Sequence, residues 1–184
     1  IGTQAIGLAA LGYSVSASDI STAELDEARK RAAERGLSLH FQVADFRRFV
    51  ETFMEKFDII IAMDNALPHM LSRADLEAAV RSIAGRLAEG GIFVASIRDY
   101  DELLKNKPPY SPPYIHKNER GQRVSFQTWD WEGDRYKLIQ YIIEDGTSLD
   151  VSRFACRYWA VRREVLTELL TEAGCSHVAW KFPE

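Results

Sequence analysis

The sequence predicts a doubly wound, mostly parallel α/β sheet with an antiparallel hairpin insertion, and three observations carry that prediction. Strand-length apolar runs alternate with amphipathic helical stretches through about the first hundred residues, the pace of a parallel sheet wound with helices. Two of those stretches open on a serine with an acidic residue three positions on, Ser21 with Glu24 and Ser72 with Asp75, the spacing of a capping box. The pattern then changes. Residues 107–113 hold four of the six prolines, and three aromatic-rich extended runs follow, punctuated by glycine turns.

Taken in order, residues 14–18 read as a short strand ending at Asp19. The helix capped by Ser21 presents Leu25, Ala28 and Ala32 on one face, and Gly36 stands where a left-handed C-terminal residue is wanted. Residues 39–43 form the next strand, ending at Ala44-Asp45, and a short helix is expected over 46–53. Residues 57–63 are apolar apart from Asp58 and are expected to form a strand covered on both faces. The helix capped by Ser72 places Leu76, Ala79, Val80, Ile83 and Leu87 at three- and four-residue steps. Gly90-Gly91 is expected to close it before a buried strand over 92–97.

Prolines exclude a helix or a central strand over 107–113. The extended runs 124–131, 136–144 and 152–160 are separated by Glu132-Gly133-Asp134 and Asp145-Gly146, which predicts antiparallel hairpins. A last helix over 163–173 turns Val165, Leu166, Leu169 and Leu170 inward and stops at Gly174; residues 176–182 look like one more strand. Three regions result: a core over 1–98, a proline-rich and antiparallel insertion over 99–160, and a returning helix and strand over 161–184.

The 184 residues fit one domain with a sizeable insertion. At 46% apolar and 27% charged residues the chain can bury a core. Its 23 basic residues against 27 acidic ones give a net charge of −4, which argues against a nucleic-acid partner. A membrane span needs roughly 20 apolar residues in a row, and the best run is Ile59-Ile60-Ile61-Ala62-Met63. Cys156 and Cys175 form neither a disulfide framework nor a zinc motif, so no metal and a reducing, cytoplasmic setting are expected. The chain opens Ile1-Gly2-Thr3-Gln4 with no signal-like start. It reads as cut inside a glycine turn, with one strand expected upstream of Ile1 and a final antiparallel strand beyond Pro183-Glu184.

Open α/β sheets bind ligands at the carboxyl ends of their strands. Those ends deliver Asp19, Asp45, Asp64-Asn65 and Arg98-Asp99 to one edge. An acidic residue about twenty positions after a glycine turn suits the hydroxyls of a ribose; Asp19 follows Gly2 at that spacing. Asp45 could receive the amine of an adenine, with Phe46 or Ile20 packed on the ring. Gly2 belongs in a strand-to-helix turn where backbone approaches ligand. A dinucleotide fingerprint with Ala5 in its third position stays open on that turn alone.

Several pieces together resemble the class I S-adenosylmethionine-dependent methyltransferases, which have a Rossmann-like fold. They are Gly2-Thr3, Asp19-Ile20, Ala44-Asp45-Phe46, Asp64-Asn65-Ala66-Leu67-Pro68-His69 and Glu89-Gly90-Gly91-Ile92-Phe93, covering residues 1–97. The resemblance implies S-adenosylmethionine as cofactor and S-adenosylhomocysteine as product. It puts Gly2 and Thr3 at the methionine part, Asp19 on the ribose, and Ile20 and Phe46 about the adenine beside Ala44. Asp45 would bond the adenine amine, while Met63, Asp64, Asn65 and His69 belong to the segment at the sulfonium end. More narrowly, Ser96-Ile97-Arg98-Asp99-Tyr100-Asp101 is similar to glycine and glycine/sarcosine N-methyltransferases. There the segment's arginine binds the substrate carboxylate, a role that falls on Arg98, whose guanidinium offers a permanently charged fork. Asn65 would sit near the methyl group, and Tyr100, Tyr110 and Tyr114 are candidates for the family's tyrosines.

The implied reaction is an in-line displacement by a neutral amine, with Asn65 and Arg98 as its catalytic residues and no general base assigned. The expected partner is a small-molecule amine or amino acid, without nucleic acid or membrane; a homo-oligomer is left open. Plainer readings stand beside these. Arg98 could pair with Asp99 or Asp101, Asp45 could cap a helix, Asn65 could form a turn, and His69 and the tryptophans could be packing residues. The alternatives in function are a methyltransferase for another small metabolite, an inactive nucleotide-holding fragment, and, disfavoured by Asp64-Asn65 and the antiparallel tail, an NAD-binding domain.

Overall fold

Ser21 and Ser72 each cap a helix as their spacing predicts. In the computed structural model, which describes residues 2–119 and 121–182, the Ser21 hydroxyl accepts the Glu24 N–H and the Ser72 hydroxyl accepts the Asp75 N–H. Helix α1 (Thr3–Ala10) precedes β1 (Ser16–Asp19), α2 (Thr22–Ala33) and β2 (His40–Val43). A 3-10 turn (Phe46–Arg48) and the short α3 (Phe49–Thr52) follow, so the single helix expected over 46–53 is broken in two. Then come β3 (Phe57–Ala62), a 3-10 turn (Leu67–His69), α4 (Arg73–Ala84) and β4 (Leu87–Ala95). Leu25, Ala28 and Ala32 are the buried face of α2, and Leu76, Ala79, Val80 and Ile83 that of α4.

The parallel strands form two separate pairs, β1 with β2 and β3 with β4, and among the described residues no ladder joins β1 to β3. What the sequence suggested for Ile1 and for Pro183-Glu184 lies outside the described residues. The strand expected to be covered on both faces is covered on one. Ile60 is buried against α4 and its neighbours and Ala62 is buried on the same face, whereas Ile59, Ile92 and Val94 face outward and are exposed, as the period of two requires when only one face is packed.

Three boundaries differ from expectation. Helix α4 ends at Ala84, so Leu87 begins β4 and Gly90-Gly91 lie inside that strand. The ladder steps from Phe57 opposite Leu87 to Ile59 opposite Ile92. The extra residues loop out through Gly90 at φ 73°, and a Cβ on Gly91 would stand 3.0 Å from the carbonyl oxygens of Ala88 and Phe57. Residues 176–182 form no strand, and among the described residues none pairs with them in a ladder; Trp180 donates its indole N–H to Thr167 Oγ1 on the last helix. Tyr100–Asn106 forms a helix, α5, that hydrophobic periodicity did not announce.

The insertion is a four-stranded antiparallel sheet in the order β5 (Tyr114–Asn118), β6 (Gly121–Glu132), β7 (Arg135–Asp145), β8 (Leu149–Trp159). Phe126 stacks on Tyr141 on its outer face. The other face carries Trp129, Trp131, Tyr136, Leu138 and Tyr158 onto α5, around the buried Tyr100. Helix α6 (Arg163–Glu172) returns to the main core through Leu166 and Leu169. Among the described residues no helix is long and apolar enough to cross a membrane.

Candidate active site

The carboxyl ends of β1, β2 and β3 open into a cleft of about 600 Å³. Asp19, Ile20, Ala44, Asp45, Phe46, Asp64 and His69, all singled out in the sequence, line it together with Arg47, Met70, Leu71 and Asp75. Asp19 Oδ1 accepts the Ser21 N–H at 2.8 Å, which fixes the carboxylate, and Ile20 stands exposed on the rim. Asp45 caps the 3-10 turn by accepting the Arg47 N–H at 2.9 Å. Its carboxylate also takes the Arg47 guanidinium, whose far end reaches Asp75 at 3.0 Å. The Arg47 hydrogen bond holds the Asp45 carboxyl below the usual carboxylate range; Ser72 and Arg47 do the same for Asp75.

Four carboxylates and one guanidinium line the cleft, so its potential is negative. Asp64 and Asn65 both adopt left-handed backbone, at φ 57° and 64°, a conformation these two residue types tolerate better than most. Ser96 pins the pair: its hydroxyl accepts the Asp64 N–H at 2.8 Å and its carbonyl accepts the Asn65 N–H at 3.0 Å. Asp64 Oδ2 further accepts from Gln4 on α1 at 2.9 Å. His69 is exposed at its outer edge while its ring packs 4.3 Å from that of Tyr158; partial burial lowers its pKa and favours the neutral form.

Gly2, Thr3 and Met63 do not line the cleft. Gly2 sits at φ 67°, and a Cβ there would come within 2.9 Å of the Ala28 Cβ, so the turn needs glycine for its packing against α2.

Beside Asp64 the fold builds a second, drier cluster. Asn65 is 7% exposed. Its Oδ1 accepts the Arg98 N–H at 3.1 Å and the Tyr100 hydroxyl at 2.9 Å, and that hydroxyl meets Tyr136 Oη at 2.9 Å. Burial raises the pKa of both tyrosines, so the phenols stay neutral. Arg98 donates through Nη1 to Tyr136 Oη and through Nη2 to Gln127 Oε1, each at 3.0 Å. Its guanidinium lies 4.9 Å from the centre of a Trp129 ring and 5.6 Å from that of Tyr158. The expected competitors are engaged elsewhere: Asp99 and Asp101 both pair with Arg163 of α6, at 3.2 and 2.9 Å. Among the described residues no carboxylate comes within ion-pair distance of Arg98.

Tyr100 is 1% exposed and lies in the core rather than at the cleft, while Tyr110 and Tyr114 are on the surface. Trp159 is core, and Trp131 donates to the Pro108 carbonyl at 2.9 Å. Sequence reasoning missed Arg47, Asp75 and Ser96, which act through tertiary partners, and Gln127 and Tyr136. The signal for the last two was strand alternation, which puts Gln127 on the same face as Trp129 and Trp131, with Tyr136 opposite Trp131.

The parallel α/β core, extended by an antiparallel sheet, has the Rossmann-like fold of solved S-adenosylmethionine-dependent methyltransferases. Solved structures agree on the fold. An S-adenosylmethionine-dependent methyltransferase from Clostridium acetobutylicum superposes with a TM-score of 0.73 at 18% identity, over 88% of this chain and 63% of that one. DesVI from Streptomyces venezuelae gives 0.76 at 18% identity, over 86% and 65%. Residues 1–91, just under half of the 184-residue chain, match the family described as methyltransferase domain. Over 179 residues the chain is 24% identical to a glycine/sarcosine N-methyltransferase from Aphanothece halophytica, covering 94% of this chain and 62% of that protein's length.

Proposed function

We propose that the protein transfers a methyl group from S-adenosylmethionine to the amine of a small amino acid such as glycine or sarcosine. The observation that carries the acceptor is Arg98: a guanidinium held by neutral oxygens and aromatic faces, with both neighbouring aspartates diverted to Arg163. A permanently charged fork without an acidic partner is suited to a substrate carboxylate. The likeness to glycine/sarcosine N-methyltransferases supports the same reading.

The cleft fits the cofactor, whose sulfonium and amino group are cationic. Asp19 would hold the ribose, Ile20 and Phe46 the adenine, Asp45 its amine, and Asp64 the sulfonium end. When bound, the cofactor supplies an electrophilic methyl group. The chain's own task is geometric, because a neutral amine is already a nucleophile. Arg98 anchors the carboxylate so that the amine points toward the cleft, and such near-attack alignment contributes up to about 7–11 kcal/mol. Asn65 acts as a positioning residue, since its amide holds the Arg98 backbone and the Tyr100 hydroxyl. Trp129, Tyr136 and Tyr158 exclude water around the fork.

The test is release of S-adenosylhomocysteine by the full-length protein with glycine, sarcosine and dimethylglycine, beside an Arg98→Ala variant. Turnover on one of these, lost in the variant, is the expected result. Cofactor binding with no turnover on any of them overturns the acceptor.

A further inference from the structure

Gln127 stands on β6 with its amide between Arg98 and β7. Its Oε1 accepts from Arg98 Nη2 and from the Trp129 indole N–H, both at 3.0 Å, and its Nε2 donates to Gln140 Oε1 at 2.8 Å. Gln140 in turn donates to the carbonyl oxygens of Phe126 and Tyr141, each at 3.1 Å. The chain of donors fixes which way the Gln127 amide points, because a flipped amide would set N–H groups against both Arg98 and Trp129. The groups facing Arg98 are therefore an amide oxygen, the phenol of Tyr136 and the rings of Trp129 and Tyr158, none of them anionic. Burial holds the phenols of Tyr136 and Tyr158 well above neutral pH in their titration.

We propose that Gln127 is a specificity-determining residue: a neutral acceptor that orients the Arg98 fork without neutralising it, leaving the charge for the acceptor's carboxylate. This rests on the reading of Arg98 as the carboxylate anchor. Glutamate at 127 would keep nearly the same shape and the acceptor oxygen, lose the N–H given to Gln140, and bring an anion to the guanidinium. The side chain of this one position then decides whether the pocket recognises an amino acid or an amine that carries no carboxylate. A shape-filling role makes no such distinction.

Gln127→Glu, Gln127→Ala and Arg98→Ala are compared in the full-length protein, with glycine and methylamine as acceptors. Gln127→Glu is expected to raise the glycine KM by about 100-fold, the scale of losing one desolvated charge contact, with kcat and the cofactor KM little changed. The preference for glycine over methylamine should fall in parallel. Gln127→Ala, which leaves Arg98 unneutralised, should cost far less. Calorimetric binding of acetate gives a second readout and should weaken in Gln127→Glu and Arg98→Ala alike. If Arg98→Ala loses glycine while Gln127→Glu keeps the wild-type KM and preference, the role of Gln127 is overturned and the anchor stands. If Gln127→Glu weakens cofactor and both acceptors equally, Gln127 is only structural. If Arg98→Ala leaves glycine KM unchanged, the anchor itself fails.

Discussion

The Asn65 amide is occupied on both sides, with Oδ1 on Arg98 and Tyr100 and Nδ2 on the Tyr100 hydroxyl at 2.7 Å. Asn65→Ala would leave the Arg98 main-chain N–H without its acceptor, leave the Tyr100 phenol with Tyr136 alone, and put alanine in left-handed backbone. Each buried polar group left unpaired costs about 1–3 kcal/mol, so the urea midpoint should fall clearly, whereas an equal midpoint would show that water replaces the amide. His69 makes a different prediction. Burial against Tyr158 lowers its folded-state pKa below the unfolded value, near 6.5. The unfolded chain then binds the proton first as pH falls, so this stabilisation is complete above about pH 6.5 and is lost as pH falls through the folded pKa. An NMR titration should place the His69 midpoint below 6.5, and His69→Phe should flatten the decline of the melting temperature over that window. These roles were unevenly legible. Strand-end position pointed to Asp19, Asp45 and Asp64, but the partners that define Arg98 come from β6, β7 and α6, which no local pattern connects to residue 98.

Caps and periodicity made α2 and α4 readable, and the same physics gives their stability tests. Ser72 accepts the Asp75 N–H at 3.1 Å and donates its hydroxyl to Asp75 Oδ2 at 2.7 Å, so Ser72→Ala should cost about 1 kcal/mol in chemical denaturation. A wild-type midpoint would mean that water caps the helix equally well. Elements whose limits depend on a partner were read less well. Leu87 continues the three-four rhythm of α4, yet it stands opposite Phe57 as the first residue of β4, because the ladder wins over periodicity once Gly85 has ended the helix. Residues 176–182 have strand-like composition but pair with no other described residue in a ladder, and Trp180 packs toward α6. Strand β4 offers a sharper test at Gly91, where an added methyl would press on two carbonyl oxygens. Overpacking of that kind costs about 1–3 kcal/mol, and Gly91→Ala should destabilise the chain by a comparable amount.

Across the whole molecule the antiparallel sheet and the parallel pairs differ in cohesion. Strands β6 and β7 share eleven register pairs and bury Tyr136 and Leu138, while β1 and β2 share four, with His40 and Val43 exposed. Local opening should follow that difference, because free energies of opening track buried contact and ladder length. In this 184-residue chain, amides of β1 and β2 should exchange well ahead of those of β6 and β7. The cleft is lined from both parallel pairs, with Asp19 and Asp45 at the ends of β1 and β2 and Asp64 after β3. A ligand held by all three carboxylates would stabilise the elements that carry them against local opening through mass action. Adding S-adenosylhomocysteine should therefore slow exchange in β1, β2 and the Asp64-Asn65 turn, and leave β6 and β7 unchanged. Slowing confined to β6 and β7 would move the cofactor site away from the acidic cleft and onto the antiparallel sheet.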